Sequence, residues 1–156
     1  MNQIYTHPKR KTKVVFVQLG SPSEPTSKAL RKYLRKFLGD PRVVDINPWL
    51  WKIILNFFVL PFRPKKSAKL YARIWDGKSF PLITNTRDFT NNVRQELKKI
   101  DPDGHVEVNH AFLLSPPYVN EVYDRWEEDL KKGIGATKLL VIPMFPQYSE
   151  STIASG

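Results

Sequence analysis

The sequence contains no cysteine. That excludes disulfides and thiolate metal ligation, and it removes the usual mark of a small secreted domain. Acidic residues are scarce: 15 Asp and Glu stand against 25 Lys and Arg, for a formal net charge of +10. Such a surface favours anionic partners, whether nucleic acid, acidic lipid or a ligand bearing carboxylate or phosphate. No apolar run is long enough to span a bilayer. The segment PWLWKIILNFFVLPF (48–62) has ten apolar residues among the twelve between Pro48 and Pro61, interrupted by Lys52 and Asn56. It suits a core helix, an interfacial helix or the wall of an apolar pocket. The opening MNQIYTHPKRKTK is basic but has no apolar core behind it, so it does not read as a secretory signal. Residues 1–12 are expected to be a flexible lead-in.

Nucleotide signatures are missing too. No G-x-G-x-x-G follows the first apolar run and no G-x-x-x-x-G-K-[ST] occurs, which argues against NAD and against a P-loop. The three histidines, His7, His105 and His110, have no metal-binding spacing, and there is no H-E-x-x-H. No metal site and no tightly bound cofactor are expected. His110 reads as a hydrogen-bonded strand residue rather than a ligand or base. Glu150 reads as a solvated carboxylate.

What remains is ordinary globular material. A chain of 156 residues with 41% hydrophobic residues can bury a real core in one domain. Four Trp, six Tyr and nine Phe need burial or a flat apolar ligand. KVVFVQL (13–19) is a near-continuous apolar run with β-branched residues, as in a strand buried on both faces. Turn-forming GSPSEPTSK leads into a helix with Leu30, Tyr33, Leu34, Phe37 and Leu38 at helical spacing and Gly39 as its stop. The other face of that helix carries Lys28, Arg31, Lys32, Arg35 and Lys36. It lacks aromatic interleaving, so it reads as solvated rather than as a nucleic-acid face.

PRVVDI is expected to be short and extended, and RPKKSAKLYARIWDG a basic helix ending at Gly77. TRDFTNNVRQELKKI predicts a helix burying Phe89, Val93, Leu97 and Ile100. The turn DPDG leads to a strand, HVEVNHAFLL. VNEVYDRWEEDLKKG predicts a helix with Val119, Val122, Tyr123, Trp126 and Leu130 inward, and TKLLVIPM a third strand. Strands separated by helices imply right-handed crossovers and a Rossmann-like parallel sheet flanked by helices, an α/β fold. Ligands in such sheets sit beyond the C-terminal strand ends. Three loops emerge there: LGSP (19–22), SPPY (115–118) and FPQYS (145–149). LGSP can present backbone N–H groups to an anion, although a plain strand-to-helix turn is the simpler reading. The dense cations of FRPKKSAK (62–69) beside the apolar segment suit an amphipathic acid better than nucleic acid.

Five stretches together resemble the ferrochelatase family, whose members insert ferrous iron into a porphyrin. VQLGSP resembles the family's L-N-x-G-x-P, and YLRKFLGDPRVVDI its Y-L-x-x-F-L-x-D-x-R-V-[IV]-x-[IL]. PFRPKKSAKLYARIW is similar to R-x-x-K-x-A-x-x-Y-x-x-I-W, FPLITNTRD to S-P-L-x-x-x-T/S-R, and PMFPQYSESTIAS to P-x-[YF]-P-Q-Y-S-x-x-T-x-x-S. The likeness runs over residues 13–156. It implies a chelatase-like α/β fold of two similar halves around a cleft, with this chain as the first half. The family's catalytic His and Glu lie in the second half, and neither His105 nor His110 matches their motif, so no catalytic residue is expected here.

By the resemblance, porphyrin and ferrous iron are the substrates. Leu19, Gly20, Ser21, Pro22, Arg63, Tyr71, Gln147, Tyr148, Ser149 and Ser151 would contact the porphyrin, with Arg63 and its basic neighbours toward the propionates. Trp49, Leu50, Trp51, Ile54, Phe57 and Phe58 would form a hydrophobic lip that also touches a membrane. A cytoplasmic protein with peripheral membrane contact through 48–62, and no nucleic-acid partner, is expected. This chain departs from the pattern where Leu113 and Leu114 replace a usual Arg-Tyr, where Phe80 replaces a Ser, and at Leu19, a Tyr in some members. Those changes fit the alternative of a porphyrin- or haem-binding homologue without catalysis.

Overall fold

The computed structural model of the chain describes residues 11–145. Strand β1 (Thr12–Gln18) is the middle of a three-stranded sheet, with β2 (Val106–Phe112) on one side and β3 (Lys138–Pro143) on the other. Both pairings are parallel, and Phe16 lies opposite His110 and Ile142. β1 begins one residue before the expected start, because Thr12 already pairs with Val106 and Lys138. A central parallel strand is covered on both faces, which is why VVFV is apolar throughout. Val14, Phe16 and Val108 face Val93 and Leu97 on one side, and Val15, Val17 and Ala111 face Val119 and Val122 on the other. Lys13 is the charged exception; it lies opposite Glu107 on β2 and pairs with it at 3.5 Å.

Helix α1 (Ser27–Leu38) follows the expected stripe, burying Leu30, Tyr33, Leu34 and Leu38. Thr26 caps it, its hydroxyl accepting from the Ala29 N–H at 3.2 Å. Gly39 ends it with right-handed backbone (φ −82°), and its N–H donates to the Arg35 carbonyl at 3.0 Å. A side chain at 39 would press on that carbonyl, so glycine serves here by size rather than by left-handed geometry. PRVVDI is not extended. The Asp40 carboxylate accepts from Arg42 N–H at 2.9 Å and its carbonyl from Val43 N–H at 3.0 Å, so the side chain folds the segment into a turn.

The next two predicted segments form one helical path. It runs through α2 (Pro48–Ile54), a π-helical segment (Leu55–Val59), α3 (Leu60–Tyr71) and a 3₁₀ turn (Ala72–Ile74). Asn47 caps the start, accepting from Trp49 N–H at 3.1 Å. Pro61 has no N–H for the Phe57 carbonyl, and its ring crowds that group. The wider turn, closed by Leu60 N–H to Leu55 O, lets the helix pass the proline.

Helix α4 (Pro81–Ile100) buries Thr86 and Thr90 most deeply, rather than Phe89 and Ile100, both of which are exposed. Each hydroxyl donates back to its own helix, Thr86 to Leu82 O and Thr90 to Thr86 O, both at 2.7 Å. That satisfies the polar atom and leaves a small methyl-bearing surface for close packing. Phe89 still meets Phe16 edge-on, with ring centroids 5.1 Å apart. Helix α5 (Val119–Lys131) has no fully buried residue; Tyr123 and Leu130 of its predicted inner face are exposed. Leu140 and Val141 of β3 are about half exposed. Among the described residues no helix is long and apolar enough to cross a membrane.

Candidate functional site at the strand ends

The loops after β1 and β2 interlock. Leu113 and Leu114 N–H groups donate to the Gln18 and Leu19 carbonyls at 3.1 and 3.0 Å, extending the ladder past the strands. Gly20 then turns the chain with φ +93°, a conformation that L side chains avoid, and a Cβ there would collide with Ser115 Oγ. The Ser21 N–H donates to that Oγ at 3.3 Å, and the Tyr33 hydroxyl reaches back to the Gly20 carbonyl at 3.3 Å. β3 is tied in as well: Met144 N–H donates to Val17 O at 2.8 Å, and Gln18 Nε2 to Met144 O at 3.0 Å.

These loops, the exposed flank of α1 and the 75–80 loop enclose a cleft of about 320 Å³. Its floor is aromatic: Trp75 and Phe80 are in edge contact at 4.7 Å, with Tyr33 beside them. Ser21, Ser23, Ser79 and Ser115 border it, and Lys32, Lys36 and Lys78 supply positive charge with no acidic residue in the lining. Lys36 Nζ sits 4.0 Å above the Tyr118 ring, a cation–π contact that fixes its position. Lys78 rides on a tight turn in which the Asp76 carboxylate accepts from Lys78 and Ser79 N–H groups at 2.7 and 2.5 Å. The Ser79 and then the Lys78 N–H bonds hold the Asp76 carboxyl below its ordinary range. Burial, and then the neighbouring Tyr71 hydroxyl, push the Tyr33 phenol well above its usual value, so it stays a neutral donor. The chemistry on offer is an aromatic, apolar lining that also carries ammonium and hydroxyl groups.

Of the residues expected to hold porphyrin, Ser21 and Pro22 line this cleft; Leu19 and Gly20 do not, Leu19 O being taken by the Leu114 N–H and Gly20 forming the turn before Ser21. Tyr71 stands behind its floor, edge-on to Phe80 at 5.4 Å and 6.5 Å from Tyr33. Arg63 is exposed on α3 and does not line the cleft. Gln147, Tyr148, Ser149 and Ser151 lie outside the described residues. The lip divides: Trp49, Leu50, Phe57 and Phe58, together with Phe62, are 50–75% exposed. Trp51 turns inward instead, its Nε1–H donating to Leu38 O at 2.6 Å, and Ile54 is half-buried. Lys32 and Lys36 lie on the helix face expected to be solvated, and Lys78 lies in a turn that carried no expectation; a lysine in either place gives no local sign of what packs opposite it.

His110 differs from expectation. Its Nδ1 is buried and has no hydrogen-bond partner among the described residues, so it is not the bonded strand residue that the sequence suggested. Burial, followed by the Arg94 and Arg87 charges, lowers its pKa and keeps the ring neutral. Arg94 is occupied, donating to Val108 O at 2.6 Å and Asn109 Oδ1 at 2.9 Å. Among the described residues no group of three or more His, Asp or Glu is placed to hold a metal ion.

The ferrochelatase family model matches residues 11–156. A ferrochelatase of Idiomarina loihiensis is 42% identical over 142 residues, covering 91% of this chain and 37% of the relative. Ferrochelatase 1 of Shewanella oneidensis is 40% identical, covering 91% of this chain and 41% of its own length. A ferrochelatase of Herminiimonas arsenicoxydans is 41% identical over 153 residues, covering 97% and 39%. The chain therefore spans about two-fifths of the length of the curated relatives it matches. With the family model matching residues 11–156 and these relatives about 40% identical over some nine-tenths of its length, the chain belongs to the ferrochelatase family.

Proposed function

We propose that this chain forms a porphyrin-binding wall in the insertion of ferrous iron into a porphyrin to give haem. The observation that carries the reading is the cleft at the ends of β1 and β2, where an aromatic floor meets three lysines and four serine hydroxyls with no acid in the lining. A macrocycle needs flat apolar contact, and its carboxylates need cations or hydroxyl donors. Iron insertion also needs a base to take two pyrrole protons. His110 is a poor base for this: its free nitrogen is buried and its pKa is lowered by burial and by two arginines. The chain thus supplies binding, and peripheral membrane contact through the exposed Trp49, Leu50, Phe57, Phe58 and Phe62 is part of the same reading.

Titration with a dicarboxylic porphyrin, followed by its Soret band, tests this. A saturable shift, with no metal insertion on anaerobic addition of ferrous iron, is expected. Absence of any shift from a chain shown folded by circular dichroism would refute the binding role. A second reading, a homologue that holds porphyrin or haem without catalysis, is favoured by Leu113 and Leu114. Leu113 packs into the apolar cluster beside Val119 and Val122, and Leu114 presents only hydrocarbon to the cleft.

A further inference from the structure

A second cavity lies away from the strand ends and shares no lining residue with the first. It measures about 410 Å³ and is walled by the C-terminal end of α1, the 41–48 segment, α2 and the start of the π-helical segment. That is within the ~300–1,000 Å³ range of small-molecule sites. Val44, Ile46, Trp51 and Leu55 give it apolar walls, and Arg35 and Lys52 stand at its edge.

Three features define what it would take. The walls are fixed: the Trp51 indole is anchored to Leu38 O at 2.6 Å, and Val44, Trp51 and Leu55 belong to the same packed cluster as Leu34 and Leu38. The charge has one sign: no Asp or Glu lines the cavity, and among the described residues neither Arg35 nor Lys52 has an ion-pair partner. The opening adjoins apolar surface, since Leu50 and Trp49 of α2 are exposed beside Trp51. A neutral apolar ligand would leave the two cations unanswered. A small hydrophilic anion would leave the apolar walls wet, and a nucleic-acid backbone would make no use of a cavity.

We infer that this cavity binds a single-chain carboxylic acid, with its alkyl chain against Val44, Ile46, Trp51 and Leu55 and its carboxylate between Arg35 and Lys52. The site is independent of the strand-end cleft and does not depend on the porphyrin reading. Arg35 is well suited to the head group because its guanidinium can grip a carboxylate with two parallel hydrogen bonds.

The test is displacement of a fluorescent undecanoic acid from the 156-residue chain by dodecanoate, both kept below their micelle concentrations. Saturable binding is expected, with dodecylamine and dodecanol displacing the probe at least tenfold less well than dodecanoate. The double variant Arg35→Glu, Lys52→Glu should weaken probe binding at least tenfold; both side chains are exposed, and circular dichroism checks the fold. Val44→Phe, which fills the cavity without touching either charge, should weaken it as well. Equal displacement by the amine, or unchanged affinity in both variants, would overturn the assignment. Binding of anionic phospholipid vesicles without binding of monomeric acid would also overturn it, by making the face a membrane surface instead. Competitive displacement of the probe by porphyrin would overturn the separateness of the two sites.

Discussion

Gly20 and Ser115 occupy one space: the backbone of the first loop bends at φ +93°, and only the missing Cβ leaves room for the Ser115 hydroxyl that accepts from the Ser21 N–H. The two strand ends are keyed together by a hydrogen atom on one side and an oxygen on the other. Gly20→Ala should therefore cost about 1–3 kcal/mol through backbone strain alone, with the collision adding to it. Adding Ser115→Ala should recover the collision part and not the strain. Urea unfolding of the single and double variants measures both; a Gly20→Ala variant as stable as the parent would show that the loop is not held in this conformation.

Tyr33 supports the same loop from beneath, through its bond to the Gly20 carbonyl at 3.3 Å. Tyr33→Phe should cost about 0.5–1.5 kcal/mol at neutral pH. The phenol pKa is raised in the folded protein by burial and by Tyr71. The folded state thus holds the proton more tightly than the unfolded state, and stability is fully present below the unfolded value of about 10. It should fall as pH rises from there toward the folded value. The Phe variant should lack that share of the alkaline loss, so the two stability curves converge at high pH.

His110 has the opposite linkage. Its folded pKa lies below the unfolded value, so the stability it contributes is present above about pH 6.5 and lost as pH falls through the folded value. His110→Phe replaces an unpartnered buried nitrogen with carbon, so it should flatten the stability curve below pH 6.5 without loss at pH 7. Proton NMR of the ring should show a midpoint below that of free histidine. A midpoint at or above it would mean that the ring is solvated or paired.

Lys32, Lys36 and Lys78 should govern carboxylate binding in the strand-end cleft. Each alanine substitution should weaken dicarboxylic porphyrin by about tenfold where the lysine meets a carboxylate, about 1.4 kcal/mol. Raising the salt should weaken the parent and leave the triple variant nearly unaffected. Lys98→Ala and Lys99→Ala, in the last turn of α4, should change nothing. Soret titrations at two salt concentrations decide the point.

Phe57, Phe58 and Trp49 are exposed by half or more of their surface and make no ring contact among the described residues. Replacing all three with serine should lower vesicle association at least tenfold, since each inserted aromatic contributes roughly 1.5–3 kcal/mol. The melting temperature should change little, because the side chains leave no core contact behind. Co-sedimentation with vesicles that still matched the parent would rule the face out as a membrane surface.

Much of the fold was legible in the sequence because local rules sufficed. A middle parallel strand must be apolar on both faces, and VVFV is. The stripe from Leu30 to Leu38 is what a helix on that sheet must show, and Gly20 before a proline marked the turn at the strand end. Other elements misled because their deciding partner is distant or their polarity is hidden. Thr86 and Thr90 look polar until their hydroxyls return to their own helix. PRVVDI looks extended until Asp40 folds it.

The α/β class, the order of the elements and the family can all be read along one dimension, from periodicity and from motifs. Which cations share a cleft, and that Trp51 turns inward while its neighbour Trp49 faces out, emerged only once the chain was packed. So did the placing of Arg35 and Lys52 beside an apolar cavity. A lysine on a helix surface has the same local chemistry wherever it points. Its role is set by the groups that packing brings opposite it, and those lie tens of residues away in the chain.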